Sequence, residues 1–433
     1  MEWYVVSLLV FGALVFLLAF EMPIAAALGI LGLAGLFMTE GVSAALQMFA
    51  VTLYTKANGV VLATIPLFMF MGEVLFVGNI GSDLFDVAEK WVGRLHGGLA
   101  SAGVAACAMF GAICGSALAA TATIGTVAVP EMTKRGYNRG LATGSIAAAG
   151  ALAPIIPPSI LLIVYCVVTE QSVGQLFMAS FIPGFVVAAA MIIQITIRVK
   201  MNPSIAPLAP RFTWKERIVS LRVIWAPLIL MIAVLGTIYL GIATATEAAA
   251  VGAFVSVVIV IILKRMTWTK LRQSMLNTVK SSCMILFILV GAQLFTYWLT
   301  LLGIPEQFAK EVIGLEISRW WVMVIINIMM ITLGMFLDAI SIIMITMPFI
   351  FPIVIALGFS PIWFGPLLMI NYALGAITPP VGLNLYMIKS VCPDVPIREI
   401  ITGSLHFLIA ETIALIIVAA VPQLALWLPG MMK

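Results

Sequence analysis

The chain is written twice. IAAALG at Ile24–Gly29 returns as EAAAVG at Glu247–Gly252, 223 residues later. LFMFMGEVLF (Leu67–Phe76) returns as LFILVGAQLF (Leu286–Phe295), 219 residues later. Pro130, Gly136 and Tyr137 of VPEMTKRGY match Pro352, Gly358 and Phe359 of FPIVIALGF at an offset of 222, and the same offset aligns Pro157-Pro158 with Pro379-Pro380. Matches in one order at nearly one offset define two homologous halves, 1–200 and 223–433, joined by a basic linker, 201–222. A duplication of this size means that any unusual segment must be judged with its counterpart.

What the halves fold into follows from their polarity. Of the residues, 63% are hydrophobic and 9% charged, with mean hydropathy +1.19, against about 25% charged in a soluble domain. Only a polytopic membrane protein fits, and helices satisfy the backbone within each span. The net charge of +4 implies no nucleic-acid partner. Val5–Phe20 lacks a basic flank and a small-residue cleavage site and reads as a span, not a cleaved signal. Cys107, Cys114, Cys166, Cys283 and Cys392 show no C-x-x-C spacing and read as packing residues.

Each half is expected to hold five crossings and one re-entrant hairpin. In half one these are scaffold helices within 3–78, a hairpin at 97–133, an interrupted helix at 141–168 and a span at 174–197. Half two repeats the plan with scaffold helices 224–303, hairpin 320–357, interrupted helix 366–389 and a span at 400–428. This arrangement puts eighteen of the 22 lysines and arginines on one side, six of them between Arg198 and Arg222, and leaves Lys56, Lys310, Arg319 and Lys433 on the other. Basic loops stay in the cytoplasm, so both termini are expected on the periplasmic side. An odd number of crossings per half then gives the halves inverted topology. Trp3, Tyr4, Trp91, Trp320, Trp321, Trp363 and Trp427 fall at span ends, as an interfacial girdle would. The polar segments 41–58 and 264–280 are expected to lie along the interface.

Two anomalies recur in both halves. Asp338 sits inside the apolar run GMFLDAISIIMITMPFIFP (Gly334–Pro352), and an ionisable group there costs at least about 2.5–3.5 kcal/mol. Its counterpart is Ser116 in GAICGSALAATATIGTVAVP (Gly111–Pro130), so the two mark the hairpin tips. The second anomaly is tandem proline, at Pro154–Ser159 and Thr378–Asn384, which no helix can run through. Broken backbone at membrane depth persists only when buried in protein or lining a wet cavity. Such segments at matching positions of two inverted halves point to a carrier's binding site. Freed carbonyls, with hydroxyls of Ser116, Thr121, Ser341 or Thr378, suit a hard cation such as Na⁺, and half-helix N-termini suit a carboxylate or sulfonate. The plainer alternatives are close packing by the Gly, Ala and Ser residues and a helix-capping role for Asp338. Glu73, His406 and Glu411 have no polar counterpart and read as helix contacts or as facing a partner subunit. Neither H-E-x-x-H nor G-x-S-x-G nor a phosphate-binding G-x-x-x-x-G-K-[ST] occurs, so neither an enzyme nor an ATP-driven pump is expected.

At these residues the chain resembles the large membrane (M, or DctM-like) subunit of tripartite ATP-independent periplasmic (TRAP) transporters. The motifs are GSALA, Pro130-x5-Gly136-Tyr137, PIIPPS, SFIPG (Ser180–Gly184), ATEAAAVGA (Ala245–Ala253), GMFLDAISI and TPPVGLNLY. The resemblance implies an elevator-type, sodium-coupled carrier of an organic anion in the bacterial inner membrane. In such a carrier the hairpins and broken helices move against a scaffold. It implies one Na⁺ site at Gly115, Ser116, Pro154, Pro157 and Ser159, and a second at Asp338, Ser341, Thr378 and Pro379. Substrate would lie between the tips, at Ser116, Ala117, Thr121, Pro158, Ala339, Pro380, Gly382 and Asn384. The partners it implies are a separate small membrane subunit of four helices and a periplasmic substrate-binding protein. A stand-alone carboxylate/sodium symporter of the same superfamily is the alternative.

Overall fold

The structure, a computed structural model, describes residues 3–207 and 212–432. Arg211 and Lys433, two of the charges behind the sidedness expectation, lie outside the described residues, as does the Trp3 ring. Among the described residues every regular element is helical. Among the described residues six helices are long and apolar enough to cross a membrane: Val60–Val77, Val173–Met201, Ala245–Ile262, Trp268–Leu301, Ala339–Ala356 and Ile397–Ala420. The pair Trp214–Val223 and Trp225–Tyr239, bent by 51°, makes a seventh if it is one span. Trp3–Ala19 and Ile24–Glu40 are apolar helices of 17 residues, about 26 Å each.

Both anomalies are present as helix interruptions. The first hairpin consists of Gly98–Cys114 and Ala117–Lys134 around the tip Gly115-Ser116. The second consists of Arg319–Gly334 and Ala339–Ala356 around residues 335–338. Arg139–Gly150 and Ile160–Thr169 flank the first proline break, and Pro361–Ala376 and Leu383–Val391 flank the second. The peptide bonds Pro157-Pro158 and Pro379-Pro380 are both cis.

The packing between halves is reciprocal. Ile24–Glu40 lies along Trp268–Leu301, and Ala245–Ile262 lies along Thr64–Val77. Aligned elements thus exchange partners across the molecule. Small residues bring the backbones close. A Cβ on Gly32 would stand 2.5 Å from the Phe295 nitrogen, and one on Gly291 would stand 2.5 Å from the Ala25 oxygen. Val173–Met201 packs on Pro361–Ala376, while Ile397–Leu405 packs on Arg139–Gly150 with Gly144 against Gly403. The core therefore centres on the hairpins and broken helices, with the longer spans around them.

Three features depart from expectation. The polar segment 264–280 is no separate interfacial helix, because it runs without interruption into the following span as Trp268–Leu301. In half one, Val42–Ala57 stops at Asn58-Gly59 before the next span. The aligned positions in half two are Lys280-Ser281, so only half one carries the turn-forming pair. Trp363 is 1% exposed and donates from Nε1 to the Val418 carbonyl at 3.1 Å, which makes it a core residue and not part of a girdle. Tyr4, Trp91, Trp320, Trp321 and Trp427 are exposed. Finally, Ile80–Val92 and Ile304–Gly314 form helices at aligned positions that the span reading passed over. They alternate apolar and charged residues, and the search for long apolar runs does not detect such patterns. Ile80–Val92 is tied down at Asp83, which receives Arg265 Nη2 at 3.1 Å while Arg265 Nη1 donates to the Gly78 carbonyl at 3.2 Å.

Candidate functional site

Each tip ends one helix and starts another. Gly115 takes the left-handed conformation, φ +61°, that closes Gly98–Cys114. Ser116 then adopts extended backbone, and its Oγ accepts from the Ala119 N–H at 3.4 Å. The tip rests on the first break. A Cβ on Gly115 would lie 2.9 Å from the Pro158 oxygen and 3.4 Å from Ser159 Cα. Ser159 in turn caps its own half-helix, accepting from Leu162 N–H at 3.4 Å. In half two, Asp338 caps Ala339–Ala356: Oδ2 accepts from the N–H groups of Ile340 (3.1 Å) and Ser341 (3.3 Å), and Oδ1 accepts from the Ser341 hydroxyl. Tip and break are again joined, since the Met335 carbonyl accepts from the N–H groups of Val381 and Gly382, both at 3.2 Å.

A cavity of about 180 Å³ separates the two tips. Its wall includes Ala117, Ile160, Ala339 and Leu383, which are the first residues of all four half-helices that start at a tip or a break. A helix N-terminus presents unpaired N–H groups and about half a positive charge. Four of them converge here from both halves. Among the described residues the only charged side chain on the wall is Asp338, and neither lysine nor arginine contributes. Three of the roughly four acceptor directions of its carboxylate are taken by the cap. Some first-turn N–H groups are taken by Ser116, Ser159 and Asp338, so the positive feature of the wall is the dipole of the four helix ends, set against the Asp338 carboxylate.

The structure gathers some of the anticipated residues and not others. Gly115, Ser116, Ala117, Pro154, Asp338 and Ala339 line the cavity. Pro157, Pro158 and Ser159 lie buried behind the first tip. Thr121 faces Gly150 inside the helix packing, fully buried, with its Oγ1 unpartnered. Asn384 is also fully buried and donates to the Ala147 carbonyl at 3.0 Å, so it ties half two to half one. Neither reaches the cavity wall. Pro380 is exposed and Gly382 buried, both off that wall, and Thr378 Oγ1 donates to the Leu374 carbonyl at 2.6 Å. Ser341 serves the Asp338 cap, and Pro379 is half-buried in the break. Proximity to a tip or a break in sequence does not fix which way a side chain points: Thr121 and Asn384 are turned into helix packing, while Thr378, Pro379, Pro380 and Gly382 lie within the second break itself.

Met69, Leu118, Leu161, Ile285, Ile340 and Tyr372 also line the cavity and were not anticipated. Tyr372 alone carried a signal, as an amphipathic ring one and a half turns before a proline break. The donor set at the tips is hydroxyl, carboxylate and backbone carbonyl oxygen, which fits a hard monovalent cation. Of the other intramembrane polar residues, Glu73 accepts from Asn277 Nδ2 at 3.0 Å and His406 Nδ1 meets the Thr402 carbonyl at 2.8 Å, both helix contacts. Glu411 is fully buried with neither oxygen partnered.

The family profile described as the tripartite ATP-independent periplasmic transporter, DctM component, matches residues 11–424. Among curated relatives, a C4-dicarboxylate TRAP transporter large permease protein of Pseudomonas aeruginosa is 36% identical over 89% of this chain and 90% of its own. One of the same description from Rhodobacter capsulatus is 32% identical over 98% of this chain and 99% of its own. A sialic acid TRAP transporter large permease protein of Vibrio cholerae is 28% identical over 97% of both. Among solved structures, the YdaH transporter of Alcanivorax borkumensis superposes with a TM-score of 0.63 at 14% identity, over 90% of this chain and 89% of that one. The last likeness concerns the fold alone.

Proposed function

The chain belongs to the DctM-component family of tripartite ATP-independent periplasmic transporters, and from that membership we propose that it is a sodium-coupled, elevator-type uptake carrier for a small organic anion. The observation that carries the proposal is the convergence of four half-helix N-termini on one cavity without a cationic side chain. Substrate occupies that cavity. Na⁺ binds behind each tip, at Ser116 with the first break and at Asp338 with the second, and offsets the anion's charge so that the loaded unit can move. The two hairpins and two broken helices form that unit, and the outer spans form the scaffold it slides along. The reciprocal packing of aligned elements supports an inverted relation between halves 1–200 and 223–433. The termini then lie on the periplasmic face.

A small membrane subunit and a periplasmic binding protein complete the system on this reading. The isethionate permease of Oleidesulfovibrio alaskensis, described as DctMQ, matches 97% of this chain but only 66% of its own length, which leaves room there for a fused second subunit. C4-dicarboxylates are the first cargo to test, given the relatives so described. The experiment is uptake of labelled succinate, N-acetylneuraminate and isethionate into proteoliposomes holding this chain, its small subunit and its binding protein, under an inward Na⁺ gradient. Uptake of one of them that collapses when choline replaces Na⁺ is the expected result. Uptake indifferent to Na⁺ refutes the coupling, and undiminished uptake without the binding protein favours a stand-alone symporter.

A further inference from the structure

A second, larger cavity opens away from the tips. It has a volume of about 630 Å³, within the range of small-molecule sites. Gln47, Thr55 and Lys56 face it from Val42–Ala57, Gln293 and Tyr297 from Trp268–Leu301, and Glu170 from the end of Ile160–Thr169. Among the described residues, the side chains of Gln47, Lys56, Glu170, Gln293 and Tyr297 form no hydrogen bond or ion pair with the protein. Lys56 is the one cation on the wall. Burial pulls its ammonium below the usual lysine range, and the Glu170 carboxylate pushes back. Amide, phenol and ammonium groups are thus arranged around a space without serving one another.

Its place in the fold relates it to the first cavity. Lys56 stands just before Val60–Val77, whose other end carries Gly78, the carbonyl that receives Arg265. The cavity is therefore at the opposite end of the bundle from the Arg265–Asp83 pair. Ile160–Thr169 connects the two cavities: Ile160 and Leu161 line the space between the tips, and Glu170 caps the far end of the same helix. Ten residues span about 15 Å.

We propose that this cavity is a reception site for a small carboxylate or sulfonate, held by Lys56 with hydrogen bonds from Gln47, Gln293 and Tyr297, before the anion reaches the space between the tips. Glu170 competes with the anion for Lys56. In the empty site it balances the ammonium, and an arriving anion takes its place. The inference rests on the anion-carrier reading above.

The test is succinate uptake by the full complex in proteoliposomes, with Lys56→Gln, Lys56→Arg and Glu170→Gln variants. Lys56→Gln is expected to raise KM about tenfold with maximal rate little changed. Lys56→Arg keeps the charge and stays within twofold of the parent, and Glu170→Gln lowers KM several-fold. If Lys56→Gln leaves KM unchanged, or if Glu170→Gln weakens uptake as Lys56→Gln does, the two residues only brace each other and the site is refuted. Absence of uptake of succinate, N-acetylneuraminate and isethionate alike by the parent complex refutes the carrier reading instead, so the two failures are told apart, and whichever of the three the parent takes up is the probe for the variants. Equilibrium binding of labelled succinate to purified complex in an Ala117→Trp background, where the inner cavity is filled, isolates the second site. Weak binding abolished by Lys56→Gln is expected there, and no binding in the presence of Lys56 overturns the proposal.

Discussion

Asp338 carries two roles that one substitution can separate. Its carboxylate caps Ala339–Ala356 through three hydrogen bonds, and on the proposed mechanism its remaining acceptor direction faces Na⁺. Asparagine caps helices as well as aspartate does, whereas alanine forfeits the cap at about 0.5–2 kcal/mol. The charge adds about 0.3–1 kcal/mol at a helix N-terminus, lost in either variant. Asp338→Ala should therefore destabilise the complex by about 1–3 kcal/mol, and Asp338→Asn by no more than about 1 kcal/mol. Cation affinity divides differently. If the formal charge contributes one charge-assisted contact of about 1.5–3 kcal/mol, both variants raise the Na⁺ concentration for half-maximal uptake at least tenfold. Thermal unfolding of detergent-solubilised complex, run in NaCl and in choline chloride, reads the first quantity, and uptake against external Na⁺ reads the second. Asp338→Asn with parental Na⁺ dependence would show that the carboxylate is a cap and nothing more. Asp338→Asn as unstable as Asp338→Ala would remove the capping argument.

Other substitutions probe the frame around the cavity. Gly115→Ala meets both a positive φ and the Pro158 carbonyl; a loss of about 1–3 kcal/mol and of uptake is expected, with the unfolding transition as the check. Gly32→Val drives a side chain into the Phe295 backbone, so the complex should fail to purify as a monodisperse species on size exclusion. Asn384→Leu removes the bond to Ala147 and leaves that link between halves apolar; about 1 kcal/mol lower stability with unchanged substrate KM is expected, since the side chain is off the cavity wall. Arg265→Gln loses the grip on Asp83 and the Gly78 turn, and faster backbone hydrogen exchange across Gly78–Leu84 is the measurable outcome.

The sequence exposed the large features because they recur. A hairpin tip and a tandem-proline break at one offset in both halves are legible without coordinates, since glycine and proline act on their own backbone. The cavity wall was half-legible. Ser116, Ala117, Asp338 and Ala339 follow from the tips, but Met69 and Ile285 arrive from helices that carry no local mark and are placed only by tertiary packing. Thr121 and Asn384 lie off the wall for the converse reason: each is a polar side chain near a tip or a break that its helix turns into the packing. Trp363 fell to the same rule. Position at the end of an apolar run gives depth but not azimuth, and an indole there faces lipid or core according to neighbours that come from elsewhere in the chain. The continuity of Trp268–Leu301 was readable in retrospect, because Lys280-Ser281 lacks the Asn58-Gly59 turn signal.

The four converging helix ends have a consequence for how such a site can change over generations. A binding potential assembled from peptide dipoles has no codon of its own. No point mutation deletes it, as one would delete an arginine, provided that the helices still start where they do. On the proposed mechanism the wall residues Ile340, Tyr372 and Leu383, which serve neither a cap nor a Na⁺ site, are then free to drift in size and polarity without costing the site its affinity for negative charge. If the proposed site holds, selection can redesign the shape of the cargo while the attraction for anions is held constant by the fold.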